Sequence, residues 1–434
     1  MNSEDQLYDL SVIIPALNES QNLSRLLPKV RQVLNNININ YEIIIVDEDA
    51  DQETHSIVKE YLCILLTPDS KGYGSALQAG INKARGTYIL TMDADLSHSP
   101  DFLKTLWDAH KSADIIIASR YVNGGRAIMP LSRLVLSVIL NQIFNRGLDL
   151  KVRDMSSGYR LYKASSIKNR NIESHDFNIL QELLVYALIE GYSVLEIPFT
   201  YQPLTHGSSH ARVVKFGLNY LQTFSKLWKI RNSIASADYD ARAYDTLMLP
   251  QRYWQRQRFK HINNMIRDEK KCLDVGCGSS RILDVLPVGS IGLDIQMRKL
   301  RYSRCYKKIY INGSAVSLPI SKDSIKCIIC SEVVEHIPRG LVFSELDRVL
   351  IPGGLLILGT PDYGKWEWFL IEKLYKLVLP QAYADEHISH YTYQEIIYEF
   401  VLKRGYRLED RRYILQGELI LSLRKPQQMD LSVL

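Results

Sequence analysis

Between Tyr88 and Pro100 the chain reads Tyr88-Ile89-Leu90-Thr91-Met92-Asp93-Ala94-Asp95-Leu96-Ser97-His98-Ser99-Pro100, an apolar run that stops at two carboxylates one residue apart. The run has the length and apolar content of a buried strand, and side chains two positions apart in extended chain point to the same side. Asp93 and Asp95 are therefore expected to emerge together at a strand's C-terminal end, where open α/β sheets bind ligands. Two hard oxygen ligands there suit Mg²⁺ or Mn²⁺, held by few protein groups and completed by a diphosphate. The reading is a metal grip for a nucleotide sugar. Asp-x-Asp also arises by chance in polar turns, so its setting has to carry the argument.

Residues 10–15 and 41–46 are β-branched runs, each expected as a buried strand. Ala16-Leu17-Asn18-Glu19-Ser20 then turns into a helix, with Asn18 or Ser20 available as its cap, and the second run ends in Asp47-Glu48-Asp49. Alternating strands and helices predict a parallel sheet with its ligand at the carboxyl edge. Another strand is expected over residues 114–118, and an apolar helix from Arg133 to Phe144.

Before the aspartates come Ser70-Lys71-Gly72-Tyr73-Gly74-Ser75-Ala76-Leu77-Gln78-Ala79-Gly80 and Ala84-Arg85-Gly86. With these elements, residues 1–231 resemble the family-two glycosyltransferases, most closely the dolichyl-phosphate sugar synthase branch. The resemblance implies a GT-A-type sheet and metal-dependent sugar transfer from a nucleotide sugar to a polyprenyl-phosphate or glycan acceptor. It assigns the nucleotide sugar to Pro15, Leu17, Glu19, Asp47, Lys71, Asp93, Ala94 and Asp95, and the metal to Asp93 and Asp95. It further assigns the acceptor phosphate to Arg120, Arg133 and Ser137, with Asp95, Arg120 and Arg133 catalytic; guanidinium forks suit a phosphate. Equally, Arg133 can simply open a surface helix, and Pro15 with Asn18 can simply shape a turn. The stretch from Asp154 to Arg160, Glu182, and the stretch from Gly191 to Pro198 also match. Two departures matter. Gly207 is flanked by Leu204 and His210 where the branch carries arginine and lysine, and Ser97 replaces a glutamine. Either His206 and His210 substitute or the acceptor differs. A hydroxyl acceptor needs a base, for which Asp176 and Glu182 are candidates.

Residues 232–238, small and polar, read as a linker, and 239–266 as a helix. Arg252, Arg256, Arg258 and Lys260 mix there with Tyr253, Trp254 and Phe259, which reads as packing over a following domain rather than nucleic-acid binding. Lys271-Cys272-Leu273-Asp274-Val275-Gly276-Cys277-Gly278-Ser279-Ser280 is a strand entering a glycine turn, where backbone approaches a ligand closely. Ile291-Gly292-Leu293-Asp294 puts a carboxylate at the next strand end, placed to accept from both ribose hydroxyls. The glycines alone also fit NAD. Leu318-Pro319, Ser331-Glu332-Val333-Val334-Glu335-His336-Ile337, residues 348–354, Thr360-Pro361 and residues 386–392 follow in order. Residues 239–434 thereby resemble the class I S-adenosylmethionine-dependent methyltransferases. The resemblance places the cofactor on Asp274, Gly276, Gly278, Asp294 and Glu332, with Ser280 and Ser314 standing where the family carries glycine and aspartate. His336, His387 and His390 are base candidates for an oxygen acceptor, His387 first, although a histidine at each position also serves as an ordinary structural residue.

A length of 434 residues, 46% hydrophobic and 23% charged, fits two or three soluble globular domains. The net charge of +5 does not call for nucleic acid. Of the six cysteines, Cys327 and Cys330 are spaced like a metal pair, but their offset puts them on opposite faces of one strand, as core residues. No leader pattern or membrane-spanning run is visible, so a cytoplasmic protein with reduced thiols is expected. Residues 212–231 interleave basic and apolar positions, which fits peripheral contact on the inner membrane face or ordinary packing. The expected architecture is α/β with two Rossmann-like domains, and the expected activity is that of a bifunctional transferase. The alternative, a working methyltransferase beside a degenerate nucleotide-sugar module, stays open because of Leu204.

Overall fold

The computed structural model describes residues 8–202, 213–246, 248–266, 269, 271–378 and 387–427. The chain divides into two compact units, Met1–Arg231 and Asn232–Leu434. Residues 204, 206, 207, 210 and 386, which carried part of the sequence reading, lie outside the described residues.

The first unit contains β1 (Tyr8–Ala16), β2 (Tyr41–Asp47), β3 (Ile64–Leu66), β4 (Gly86–Thr91), β5 (Ile115–Ser119), β6 (Arg126–Ala127), β7 (Arg160–Lys163), β8 (Val194–Pro198) and β9 (Thr200–Tyr201). Seven of them form one sheet in the order β3-β2-β1-β4-β7-β5-β8, and β6 pairs with β9 apart from it. The sheet is mixed rather than parallel: β7 runs antiparallel to both β4 and β5. Alternation along the strands separates two cores. Ile13, Ile44, Val46 and Ile89 face one core with Leu77, Leu180 and Leu184. Val12, Ile14, Ile45 and Leu90 face the other with Leu23, Leu27 and Val30. A sheet buried on both faces needs such near-continuous apolar strands.

Helix Ser20–Ile37 presents Leu23, Leu26, Leu27, Val30 and Leu34 inward at helical spacing. Neither expected cap is used. Glu19 holds the N-cap position and Asn18 takes a φ of 56°, while the Ser20 hydroxyl donates to Glu53 at 2.9 Å. In helix Val213–Arg231, side chains are described from Gln222 onward. There Thr223, Leu227 and Arg231 are buried one turn apart, so this part of the basic-apolar stretch packs inward.

The second unit contains β10 (Leu273–Val275), β11 (Ile291–Asp294), β12 (Ile309–Asn312), β13 (Ile325–Ser331), β14 (Leu350–Pro361), β15 (Arg407–Ile414) and β16 (Glu418–Arg424). Their order is β12-β11-β10-β13-β14-β16-β15. The first five are parallel, and β16 is antiparallel to β14 and β15. Strand order reverses between β10 and β13, which creates a crevice at the carboxyl edge. Cys327 and Cys330 are buried in different cores on opposite sides of β13, and all six cysteines are free. The helix expected over 239–266 is two helices, Tyr239–Asp245 and Leu249–Ile266. The second starts just before Pro250, a residue that fits a helix's first turn but not its interior. Residues 232–238 form turns in which Ser236 and Ala237 are buried.

Candidate active sites

In the first unit the register brings three strand ends together: Ala16 pairs with Asp47, and Ile13 with Thr91. Pro15, Leu17 and Glu19, Asp47, and the Asp93-Ala94-Asp95 turn consequently line one edge. Leu17 is exposed, as is Lys71. Leu96 follows the aspartates with φ 61°, an uncommon conformation for a branched side chain, and it folds the chain back so that Ser97 reaches Asp95. Both the Ser97 backbone N–H (3.0 Å) and its hydroxyl (2.5 Å) donate to Asp95 Oδ1. Asp95 Oδ2 takes no hydrogen bond among the described residues.

Asp93 is held more tightly. The Tyr73 hydroxyl donates to its Oδ1 at 3.2 Å, and His98 Nε2 lies 3.6 Å from its Oδ2. The Asp93 backbone N–H donates to His98 Nδ1 at 2.9 Å, which fixes the neutral tautomer with the proton on Nε2, facing the carboxylate. Burial pushes the His98 pKa down against the pull of Asp93, consistent with that tautomer. Burial raises the Asp93 carboxyl, and Asp95 adds to the rise while His98 opposes it. Gly158 backs this group: a Cβ there would sit 2.8 Å from the Tyr73 hydroxyl and 3.3 Å from Asp93 Oδ1. Tyr73, His98 and Gly158 were not singled out from the sequence. His98 alone carried a local signal, three residues beyond Asp95.

Asp47 is 1% exposed; its Oδ1 accepts from the Asp49 N–H at 3.0 Å, and its buried Oδ2 has no partner among the described residues. Burial raises its carboxyl, with Asp49, Asp51 and Glu48 adding to the rise. An orphan acceptor at a sheet edge is one that water, an ion or a ligand donor can satisfy. The glycines of the 72–74 stretch answer to protein packing: a Cβ on Gly72 or Gly74 would meet the backbone of residues 174–176 at 2.6 Å. Asp176 lies beside Gly72, and Phe177 stacks on Tyr73 at 4.4 Å.

The expected acceptor group is only partly assembled. Arg120 forks onto Asp154, from Nε at 2.8 Å and Nη2 at 2.7 Å, and Nη2 also reaches Ser156 at 2.6 Å. Most of its donors are spent inside the fold, in contrast to the free phosphate clamp expected. Ser137 accepts from the Tyr121 hydroxyl at 2.8 Å. Arg133 lies in helix Leu131–Gly147, and its side chain is outside the described residues. Glu182 is buried and engaged by Lys226 at 2.8 Å and the Ser174 N–H at 3.0 Å, which removes it as a base.

In the second unit, Asp274 ends β10 and Asp294 ends β11. Asp294 accepts from the backbone N–H of Gly278 (2.8 Å) and Gln296 (2.7 Å). Asp274 Oδ2 is buried with no partner among the described residues. Burial, reinforced by Asp294, pushes the Asp274 carboxyl up to about 8. Gly276 and Gly278 both adopt left-handed φ, 68° and 53°. A Cβ on Gly278 would lie 2.6 Å from Asp240 Oδ2, and Asp240 in turn bonds Ser279 and Lys299, each at 3.2 Å. Asp240 and Lys299 escaped the sequence reading because the contact spans distant segments. Glu332, at φ 58°, pairs with Arg258 at 3.1 Å, and Arg258 also forks onto buried Glu418. His387 Nδ1 lies 2.5 Å from the Tyr363 hydroxyl, and His390 stacks on Tyr363 at 4.1 Å.

Residues 11–170 match the family described as Glycosyl transferase family 2, and residues 273–358 match a Methyltransferase domain. Over 245 residues the chain is 31% identical to the polyprenol monophosphomannose synthase of Mycolicibacterium smegmatis, covering 52% of this chain and 89% of that protein. The N-terminal half belongs to glycosyl transferase family 2. A family 2 glycosyltransferase domain is thus fused to a methyltransferase domain. The dolichol-phosphate mannosyltransferase of Pyrococcus furiosus is 32% identical over 236 residues, 52% of this chain; the chain spans 65% of that relative's length. A solved glucosyl-3-phosphoglycerate synthase from Mycobacterium tuberculosis is 14% identical with a TM-score of 0.40, covering 52% of this chain and 81% of that one.

Proposed function

We propose that the first unit transfers a sugar from a nucleotide sugar to a polyprenyl-phosphate or glycan acceptor with the help of Mg²⁺ or Mn²⁺, and that the second methylates a hydroxyl of a related product from S-adenosylmethionine. The observation that carries the reading is the pair Asp93 and Asp95 at the end of β4, one braced by Tyr73 and His98, the other with Oδ2 uncommitted. That donor set fits a hard divalent ion. When bound, such an ion offsets charge on the departing diphosphate, a contribution of several kcal/mol in a transition state. Asp47 Oδ2 supports the nucleotide by accepting a donor from it. A phosphate acceptor is already an anion and needs no base; a hydroxyl acceptor would pass its proton to Asp176, the candidate left beside Gly72.

In the second unit the orphan Asp274 Oδ2 fits the ammonium of a methionine moiety, and Asp294 fits a ribose. The cofactor supplies an electrophilic methyl group; the chain's own part is to orient it and to receive the acceptor on the side of His336, His387 and His390. Among the described residues no helix is long and apolar enough to cross a membrane. Contact with a lipid-borne acceptor is supported instead by helix Leu131–Gly147, where Leu131, Val135, Ile139 and Ile143 are exposed at four-residue spacing.

The test is release of nucleoside diphosphate from a panel of nucleotide sugars, with and without Mn²⁺. Turnover is expected only with metal and is expected to fall at least about a hundredfold in Asp95→Asn, by the same several kcal/mol. Full activity in Asp95→Asn contradicts the proposal.

A further inference from the structure

Three side chains of the second unit form a cluster that the cofactor cradle does not use. Glu335 and His336 lie in the turn Val334–His336 after β13, and His387 comes from the segment before residue 391. One ligating atom from each lies within 4.8 Å of the other two. Glu335 is fully buried. Its Oε2 accepts from the Thr360 hydroxyl at 3.1 Å, and its Oε1 is buried with no partner among the described residues. A buried carboxylate oxygen without a donor is costly, and the cost is removed when a cation meets it.

The cluster is also held in place by the backbone around it. The N–H groups of Ile388 (2.7 Å) and Ser389 (2.9 Å) both donate to the Glu335 carbonyl, and the Ser389 hydroxyl donates to the Ile337 carbonyl at 2.6 Å. These bonds tie the His387 segment to the Glu335 turn. The Tyr363 hydroxyl sits at His387 Nδ1, and Trp368 lies nearly parallel to the ring, 6.3 Å between centroids. A metal-ligating histidine is commonly fixed in this way, by a second group bonded to its other nitrogen.

We propose that Glu335, His336 and His387 bind a divalent transition-metal ion of the zinc type. Two imidazoles and one carboxylate form a donor set for such an ion, whereas Mg²⁺ and Ca²⁺ take oxygen. Bond lengths of about 2.0–2.2 Å set tetrahedral ligands roughly 3.4 Å apart. The ligating atoms, all within 4.8 Å of one another, therefore have to close by at most about 1.4 Å on binding, a shift open to the partly exposed histidines. Three protein ligands leave a coordination position open, as at catalytic rather than structural sites. On this assignment His387 is a ligand, not a free base. The site rests on these residues alone and holds whether or not the methyl-transfer reading does.

Cobalt is the probe, because its visible absorption separates a low-coordinate histidine site from an oxygen-rich octahedral one. Titrating the full chain with Co²⁺ is expected to develop an intense visible band at one equivalent, which Zn²⁺ bleaches. The band is expected to persist in Asp95→Asn, which alters the other unit. It is expected to be lost, or Co²⁺ affinity to fall at least tenfold, in His336→Ala and in His387→Ala, with far-UV circular dichroism unchanged. Tyr363→Phe is expected to weaken binding about tenfold. No intense band, or a band of unchanged affinity in both histidine variants, overturns the proposal.

Discussion

Gly158→Ala isolates the contribution of the scaffold behind Asp93. Its φ is not left-handed, so the backbone tolerates alanine and any effect comes from the added methyl group. That methyl would stand 2.8 Å from the Tyr73 hydroxyl and 3.3 and 3.7 Å from the two oxygens of Asp93. Real contacts to Cβ do not approach 2.8 Å, so Tyr73, whose ring is stacked on Phe177, has to shift. The shift breaks the 3.2 Å hydrogen bond to Asp93. A hydrogen bond to a charged group is worth about 1.5–3 kcal/mol, which corresponds to roughly ten- to a hundredfold in an equilibrium constant. Isothermal titration of Mn²⁺ with a nucleoside diphosphate is therefore expected to show affinity weakened by about that factor, with S-adenosylmethionine binding unaltered. Tyr73→Phe, which removes the hydroxyl without crowding, is expected to give a loss of similar size. Unchanged Mn²⁺ affinity in both variants would refute the claim that Tyr73 braces a metal ligand.

Asp154→Asn strips the partner from an Arg120 side chain that is only 11% exposed. Leaving a buried charge unpaired costs about 3–5 kcal/mol, so the first unit is expected to melt roughly 6–20 °C lower; a drop under about 1 kcal/mol would mean that Arg120 finds another anion. Burial alone would raise the Asp154 carboxyl, but its bonds to Arg120 outweigh that and hold it below the usual value of 3.8. Its stabilising contribution is thus complete at neutral pH and is lost only as the pH falls through that lowered folded-state value. Asp274 behaves oppositely. Its folded carboxyl at about 8 lies above the unfolded 3.8, so the folded state holds a proton across that window and ligand-free stability falls as pH rises through it. Denaturant unfolding at pH 5 and pH 8 is expected to show this fall, and Asp274→Asn is expected to remove it; an equal fall in the variant assigns it elsewhere.

The features readable from sequence were those whose causes are local. β1, β2, β4 and β13 are built around short apolar runs, and strand alternation predicts the opposite-face placement of Cys327 and Cys330 that the two cores show. The strand expected to carry Asp93 and Asp95 stops at Thr91, so the two carboxylates share a turn at its end rather than one face of a strand. The antiparallel β7 was not readable. It is four residues long, begins with Arg160, and is held by that buried guanidinium, which donates to the carbonyls of Ser157, Met155 and Leu180. These are tertiary bonds with no trace in local pattern. The same applies to Tyr73 bracing Asp93 from twenty positions away and to Asp240 reaching Ser279. Arg120 shows the limit of carrying a role over by matching residues. The resemblance assigns its guanidinium to an acceptor phosphate, whereas in the structure the fork meets Asp154. The single helix expected over 239–266 is two, Tyr239–Asp245 and Leu249–Ile266, with Pro250 in the first turn of the second.

The most direct test of the sugar-transfer account is where a manganese ion binds. Crystals of the full chain soaked with Mn²⁺ and a nucleoside diphosphate are to be measured at the manganese absorption edge. The account predicts an anomalous peak about 2.2 Å from Asp95 Oδ2, bridged to the diphosphate, with Asp93 beside it. A peak elsewhere, or diphosphate bound without an ion between it and these two carboxylates, would contradict it.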